Sequence, residues 1–129
     1  MHTDFQRILY VEDEPDIQTI GRIALETVGG FTVEICGSGA EALDRVDQFD
    51  PDLILLDVMM PDMDGPATLT ALRNQTGATD TPVVFITAKV QTSEVETYKA
   101  MGAVDVIAKP FDPMTLAGTI RTIWTRLHG

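Results

Sequence analysis

Four short apolar runs in this sequence each end in side chains able to do chemistry. RILYV runs into Glu12 and Asp13, LILL into Asp57, VVFI into Thr87, and AVDVIA into Lys109-Pro110. Carboxylates with several open oxygen positions suit Mg2+, which prefers octahedral oxygen ligands and keeps several waters. A carboxylate such as Asp57 is also a competent nucleophile, able to form an aspartyl phosphate. A cation and Lys109 would offset the charge of a transferring phosphoryl group, which is most of what that chemistry asks of a protein. Thr87 offers a hydroxyl donor to a phosphoryl oxygen. A lone aspartate at a turn serves equally well as a helix cap. Reactive groups repeated at the ends of four runs argue for a site.

Bringing four such groups together requires the runs to be strands of one sheet. Leu53 to Leu56 is bounded by Pro51 on one side and by Pro61, Asp62, Asp64 and Gly65 on the other. That is the pattern of a strand buried on both faces between helices. Further strands are expected at Arg7–Val11, Thr32–Cys36, Pro82–Thr87 and Val104–Ala108. Helical segments separate them. Pro15 suits the first turn of the first helix, where its missing N–H costs nothing. Ile17, Ile20, Ala24 and Val28 make that helix's stripe, Ile23 falls off it, and Gly29-Gly30 ends it. Ser38 and Glu41 predict a capping box for a second helix that buries Ala42, Leu43, Val46 and Phe49.

Gly65-Pro66 opens a third helix through about Gln75, and TGATDT (76–81) reads as a loop. Ser93–Met101 is a weaker helix, with Val95, Tyr98 and Met101 on one side and Gly102 as its cap. Asp112 or Pro113 starts the last helix, whose stripe is Leu116, Ala117, Ile120, Ile123, Trp124 and Leu127. Trp124 is expected in the core. Strict alternation predicts an α/β domain with right-handed crossovers and a five-stranded parallel sheet covered by helices on both faces. In the doubly wound order 2-1-3-4-5, the first and third strands are neighbours. Asp13 and Asp57 then meet at the carboxyl edge, where such sheets bind ligands.

The length of 129 residues predicts one domain, 1–129, with a sizeable core. No repeat, low-complexity tract or linker interrupts it, and nothing after His128 leads towards a second domain. No run approaches the about 18 apolar residues of a membrane span, and MHTDFQR lacks the order of a signal peptide. A cytoplasmic location without membrane insertion is therefore expected. Net charge is −11, and no Lys/Arg cluster supports direct nucleic acid binding. Glu12, Asp13, Glu14, Asp16, Asp57, Asp62 and Asp64 crowd two segments that would repel themselves unless a cation belongs there. The single cysteine, Cys36, excludes an intrachain disulfide and is expected in the core.

With VEDEPD, LILLDVMMPDMDG, FITA and IAKPF in this order and at these separations, the chain resembles the receiver domain of bacterial two-component response regulators along its whole length. The resemblance implies a flavodoxin-like fold with Asp57 as phosphoacceptor. It implies Mg2+ held by Glu12, Asp13, Asp57 and the backbone carbonyl of Met59. Lys109 would bind the phosphoryl group, Thr87 would move towards it on activation, and Lys109-Pro110 would be cis. The implied partners are a histidine kinase or histidine phosphotransfer protein and an unknown downstream protein target. Such a domain assists its own phosphorylation and dephosphorylation without being an enzyme in the usual sense.

Three other readings compete. A flavin-binding protein of this architecture needs a phosphate-cradling loop after the first strand, where Glu12-Asp13-Glu14 would repel the phosphate. An aspartate-nucleophile phosphatase usually carries a second acid two residues after its nucleophile, and Met59 stands there. The remaining alternative is a degenerate receiver that acts only as an interaction module. One departure from the family is visible. Many receivers carry Tyr or Phe three residues before the lysine, and this chain has Val106.

Overall fold

The computed structural model describes residues 5–75 and 78–128. Its strands are β1 (Arg7–Val11), β2 (Thr32–Cys36), β3 (Leu53–Asp57), β4 (Val83–Thr87) and β5 (Asp105–Ala108). Helices α1 (Pro15–Arg22), α2 (Gly39–Phe49), α3 (Gly65–Arg73), α4 (Thr92–Ala100) and α5 (Leu116–His128) alternate with them. All pairings are parallel, in the order β2-β1-β3-β4-β5. Every residue of β3 and β4 is buried, as their unbroken apolar runs require. The two-residue period of a strand divides the core between the two faces. Ile8, Tyr10, Leu55 and Ile86 pack with Leu25 and Ile120 on one side. Leu9, Ile54, Leu56 and Phe85 pack with Val46 and Leu72 on the other. Cys36 is buried, and that burial pushes its thiol up to about 12.

Several helices differ in detail from their sequence patterns. Beyond Arg22 the first helix continues as a π-helix, Ile23–Val28, with the Gly29 N–H donating to the Ala24 carbonyl at 3.1 Å. A wider turn rotates the residues after it, so no single 3.6-residue stripe holds throughout. Ala24 and Leu25 are buried, while Ile20 and Val28, expected on the buried stripe, are exposed together with Ile23. Ser38 caps α2 by accepting the Glu41 N–H at 3.1 Å, but the Glu41 carboxylate takes the Gly37 N–H and so completes only half of the expected box.

Helix α4 fully buries none of its residues. Met101 is exposed beyond its end, and Tyr98 stands edge-on to Phe85 at 5.4 Å. Asp112 organises a turn ahead of α5, so the regular helix begins at Leu116. Leu127 is exposed, and Trp124 is only half-buried, stacked between Phe5 at 4.4 Å and His128 at 3.7 Å. Of the expected 76–81 loop, Thr76 and Gly77 lie outside the described residues.

Candidate functional site

Strand register brings the chemistry together. Val11 pairs with Leu56, so Glu12, just past the end of β1, and Asp57, the last residue of β3, come side by side at the edge of the sheet. Thr87 pairs with Ala108 at the same edge, and the Lys109 N–H continues the ladder to the Thr87 carbonyl at 2.8 Å. Lys109-Pro110 is cis. Across the mouth, the chain folds back so tightly that Gly65 touches the end of β3. A Cβ there would lie 2.8 Å from both the Asp57 carbonyl oxygen and Val58 Cα. Only glycine allows that approach. The Gly65 N–H donates to the Val58 carbonyl at 2.9 Å, and Asp64 caps α3 through the Ala67 N–H.

Glu12, Asp57 and Thr87 are 0%, 2% and 1% exposed. The Lys109 ammonium lies between the two acids, 2.8 Å from Glu12 Oε1 and 3.2 Å from Asp57 Oδ2. The Met59 N–H donates to Asp57 Oδ1 at 3.3 Å, and the Glu14 N–H to Glu12 Oε2 at 3.1 Å. Gln18 Nε2 holds the Glu12 carbonyl at 2.6 Å. The Thr87 hydroxyl accepts the Lys89 N–H at 3.1 Å. Burial pushes both carboxyls above their ordinary values, against the opposing pull of Lys109. Burial works against the ammonium too, but its bonds to Glu12 and Asp57 outweigh that and raise Lys109.

Asp13 is half-buried beside them, and carboxylate oxygens of Glu12, Asp13 and Asp57 all lie within 4.8 Å of one another. The donor set is hard oxygen, three acids face a single ammonium that pairs with two of them, and the fit to a small divalent cation is good. Met59 belongs to the loop after Asp57 and is 64% exposed. Every site residue expected from the sequence thus lies on this edge or in the loops leaving it. Sequence reasoning missed Tyr10, whose hydroxyl is 3.5 Å from Glu12 Oε1. Their spacing of two on one strand was the available signal. Burial first, then the charges of Glu12 and Asp57, push the Tyr10 phenol well above its ordinary value.

Residues 8–121 match a family model described as the response regulator receiver domain. The chain belongs to that family. This receiver is 39% identical over 121 residues to the DNA-binding response regulator MtrA of Mycolicibacterium smegmatis, covering 94% of the chain and 51% of that protein. It is 35% identical over 106 residues to a probable C4-dicarboxylate response regulator, DctR, of Halalkalibacterium halodurans, covering 81% of the chain and 45% of that protein. The receiver therefore spans about half the length of these curated relatives. Among solved structures it is similar to the chemotaxis protein CheY4 of Vibrio cholerae, with a TM-score of 0.85 and 31% identity over 93% of this chain and 99% of that one.

At the position where many receivers have a ring, Val106 is half-buried against the core layer that holds Phe85 and Tyr98.

Proposed function

We propose that this receiver accepts a phosphoryl group on Asp57 from the phosphohistidine of a histidine kinase or histidine phosphotransfer protein. A carboxylate oxygen of Asp57 attacks phosphorus while the P–N bond breaks, its electron pair returning to the donor imidazole. Acetyl phosphate would serve in the same way, with acetate leaving. Mg2+, held by Glu12, Asp13, Asp57 and the Met59 carbonyl, would supply positive charge for the transferring oxygens. Lys109 turns from Glu12 and Asp57 to a phosphoryl oxygen. Thr87 donates its hydroxyl to another, and that movement carries the state to a protein-facing surface. The domain is its own substrate, which sets it apart from a turnover enzyme.

One observation carries this reading. A single ammonium bridges two buried carboxylates, with a third acid within 4.8 Å, at the carboxyl edge of the sheet. The interaction-only alternative has no observation in its favour, because none of the expected site residues has been replaced. We take 1–129 as one receiver unit, a reading supported by the single sheet, and place it in the cytoplasm as its family resemblance suggests. No helix among the described residues is long and apolar enough to cross a membrane. Incubation with acetyl phosphate and Mg2+, followed by intact mass measurement, should show one added phosphoryl group. Absence of the added mass at saturating donor would turn the reading towards an interaction module.

A further inference from the structure

Tyr10 is fully buried, and Glu12, two residues on and just past the end of β1, continues the same side of the strand. Its ring occupies a seat that exists only because residue 21 is glycine. A Cβ at Gly21 would lie 2.3 Å from Tyr10 Cε2 and 3.1 Å from the phenolic oxygen. The partner of that hydroxyl is Glu12 Oε1, the same oxygen that Lys109 holds at 2.8 Å. At 3.5 Å the hydroxyl is longer than a formed O–H···O bond, whose usual length is about 2.7–2.8 Å. It therefore stands beside an oxygen that already has a stronger donor.

Resting on the reading above, in which Lys109 leaves Glu12 for a phosphoryl oxygen, we propose that Tyr10 is a positioning residue that takes over Glu12 Oε1 as Lys109 departs. Oε2 keeps the Glu14 N–H throughout. Without the phenol, Oε1 would have no hydrogen-bond donor once the ammonium had gone, and nothing but the cation would hold that side of the buried carboxylate. A closing movement of under about 1 Å supplies the bond. The carboxylate then keeps its aim at the cation instead of following the ammonium.

The test is calorimetric binding of Mg2+-beryllofluoride, a phosphoryl mimic, to the purified chain. Tyr10→Phe preserves shape and should leave the metal-free melting temperature within about 2 °C, yet weaken binding roughly tenfold. In a Glu12→Gln background the same change should have no effect on affinity. Gly21→Ala keeps the hydroxyl but drives the ring off its seat, and should also weaken binding. Unchanged affinity in Tyr10→Phe, or an equal loss with and without Glu12, would overturn the proposal. Failure of the wild-type chain to bind the mimic would instead overturn the reading of the site, and this inference with it.

Discussion

The two ends of β5 carry two ionic triads, each built around one short ion pair and otherwise different. Beyond its last residue, Lys109 bridges Glu12 and Asp57 at 2.8 and 3.2 Å, in a buried pocket with more acid than base. At its first residue, Asp105 meets Arg126 at 2.7 Å and Lys99 at 3.9 Å, where both bases are exposed. At the buried end, desolvation wins and both acids are held above their ordinary values. At the edge, burial works the same way on Asp105 but loses to Arg126, the Val106 N–H and Lys99, which together hold it below. Ion pairing thus sits in a desolvated pocket with an excess of acid at one end and forms a surface brace at the other. The surroundings make most of the difference.

The largest expected contrast is chemical. Asp57→Asn should abolish the phosphoryl mass gained from acetyl phosphate, whereas Asp105→Asn should label like the wild type. Comparable labelling of Asp57→Asn would assign the acceptor elsewhere and end the contrast. Next comes stability. Lys109→Met leaves buried carboxylates without their counter-charge and should cost about 3–5 kcal/mol in metal-free urea unfolding at neutral pH. Arg126→Met, removing an exposed partner, should cost about 0–1 kcal/mol. Equal losses would mean that the site is no more desolvated than the edge.

The two triads should also answer pH with opposite sign. Folded Glu12 and Asp57 hold protons above their ordinary values of 4.5 and 3.8, so the folded state binds more protons than the unfolded one in that window. Their contribution is present below the ordinary values and is lost as pH rises through the folded ones. Asp105 is held below its ordinary 3.8, so its contribution is present above that value and lost as pH falls. In metal-free buffer, acidification from pH 7 should raise the melting temperature of the wild type relative to Asp57→Asn. Below about pH 4 the advantage of the wild type over Asp105→Asn should shrink. Saturating Mg2+ should flatten the first trend and leave the second. A first trend of the opposite sign would place the site acids below their ordinary values.

The buried triad was legible in the sequence and the exposed one was not. Apolar runs ending in Glu12, Asp57, Thr87 and Lys109 report strands directly, and parallel pairing then leaves little choice about which ends meet. Asp105, Lys99 and Arg126 are ordinary surface charges on three elements, and only the packing of α4 and α5 brings them together. The π-turn after Arg22 escaped for a similar reason. Its residues are ordinary helix formers, and the helix is widened where Ala24 and Leu25 meet the sheet. Tyr10 is one ring in an apolar run and Gly21 one small residue in a helical segment, and neither carries a signal alone. Their fit appears only when α1 lies on β1. Trp124 read as core because its stripe continues to the end of α5, whereas its ring stacks between Phe5 and His128.

The smallest expected effect lies between the two triads. Val106 follows Asp105, whose Oδ1 accepts its N–H at 2.8 Å, and pairs in register with Phe85 on β4. In receivers with a ring here, inward movement of that ring couples the switch hydroxyl to the surface, as the family resemblance implies. Valine is short and stiff about χ1, so it has little to gain from changing rotamer. The neighbouring ring, Tyr98, already stands edge-on to Phe85 at 5.4 Å. The signal from Thr87 should therefore pass by the backbone of β4 and its following loop, leaving Val106 a bystander. A double-mutant cycle of Thr87→Ala with Val106→Ala, read as affinity for Mg2+-beryllofluoride, should give a coupling below about 0.5 kcal/mol, as expected of independent sites. A coupling of about 1–3 kcal/mol, the size usual for allosteric communication, would make Val106 part of the switch and join the two ends of β5 into one device.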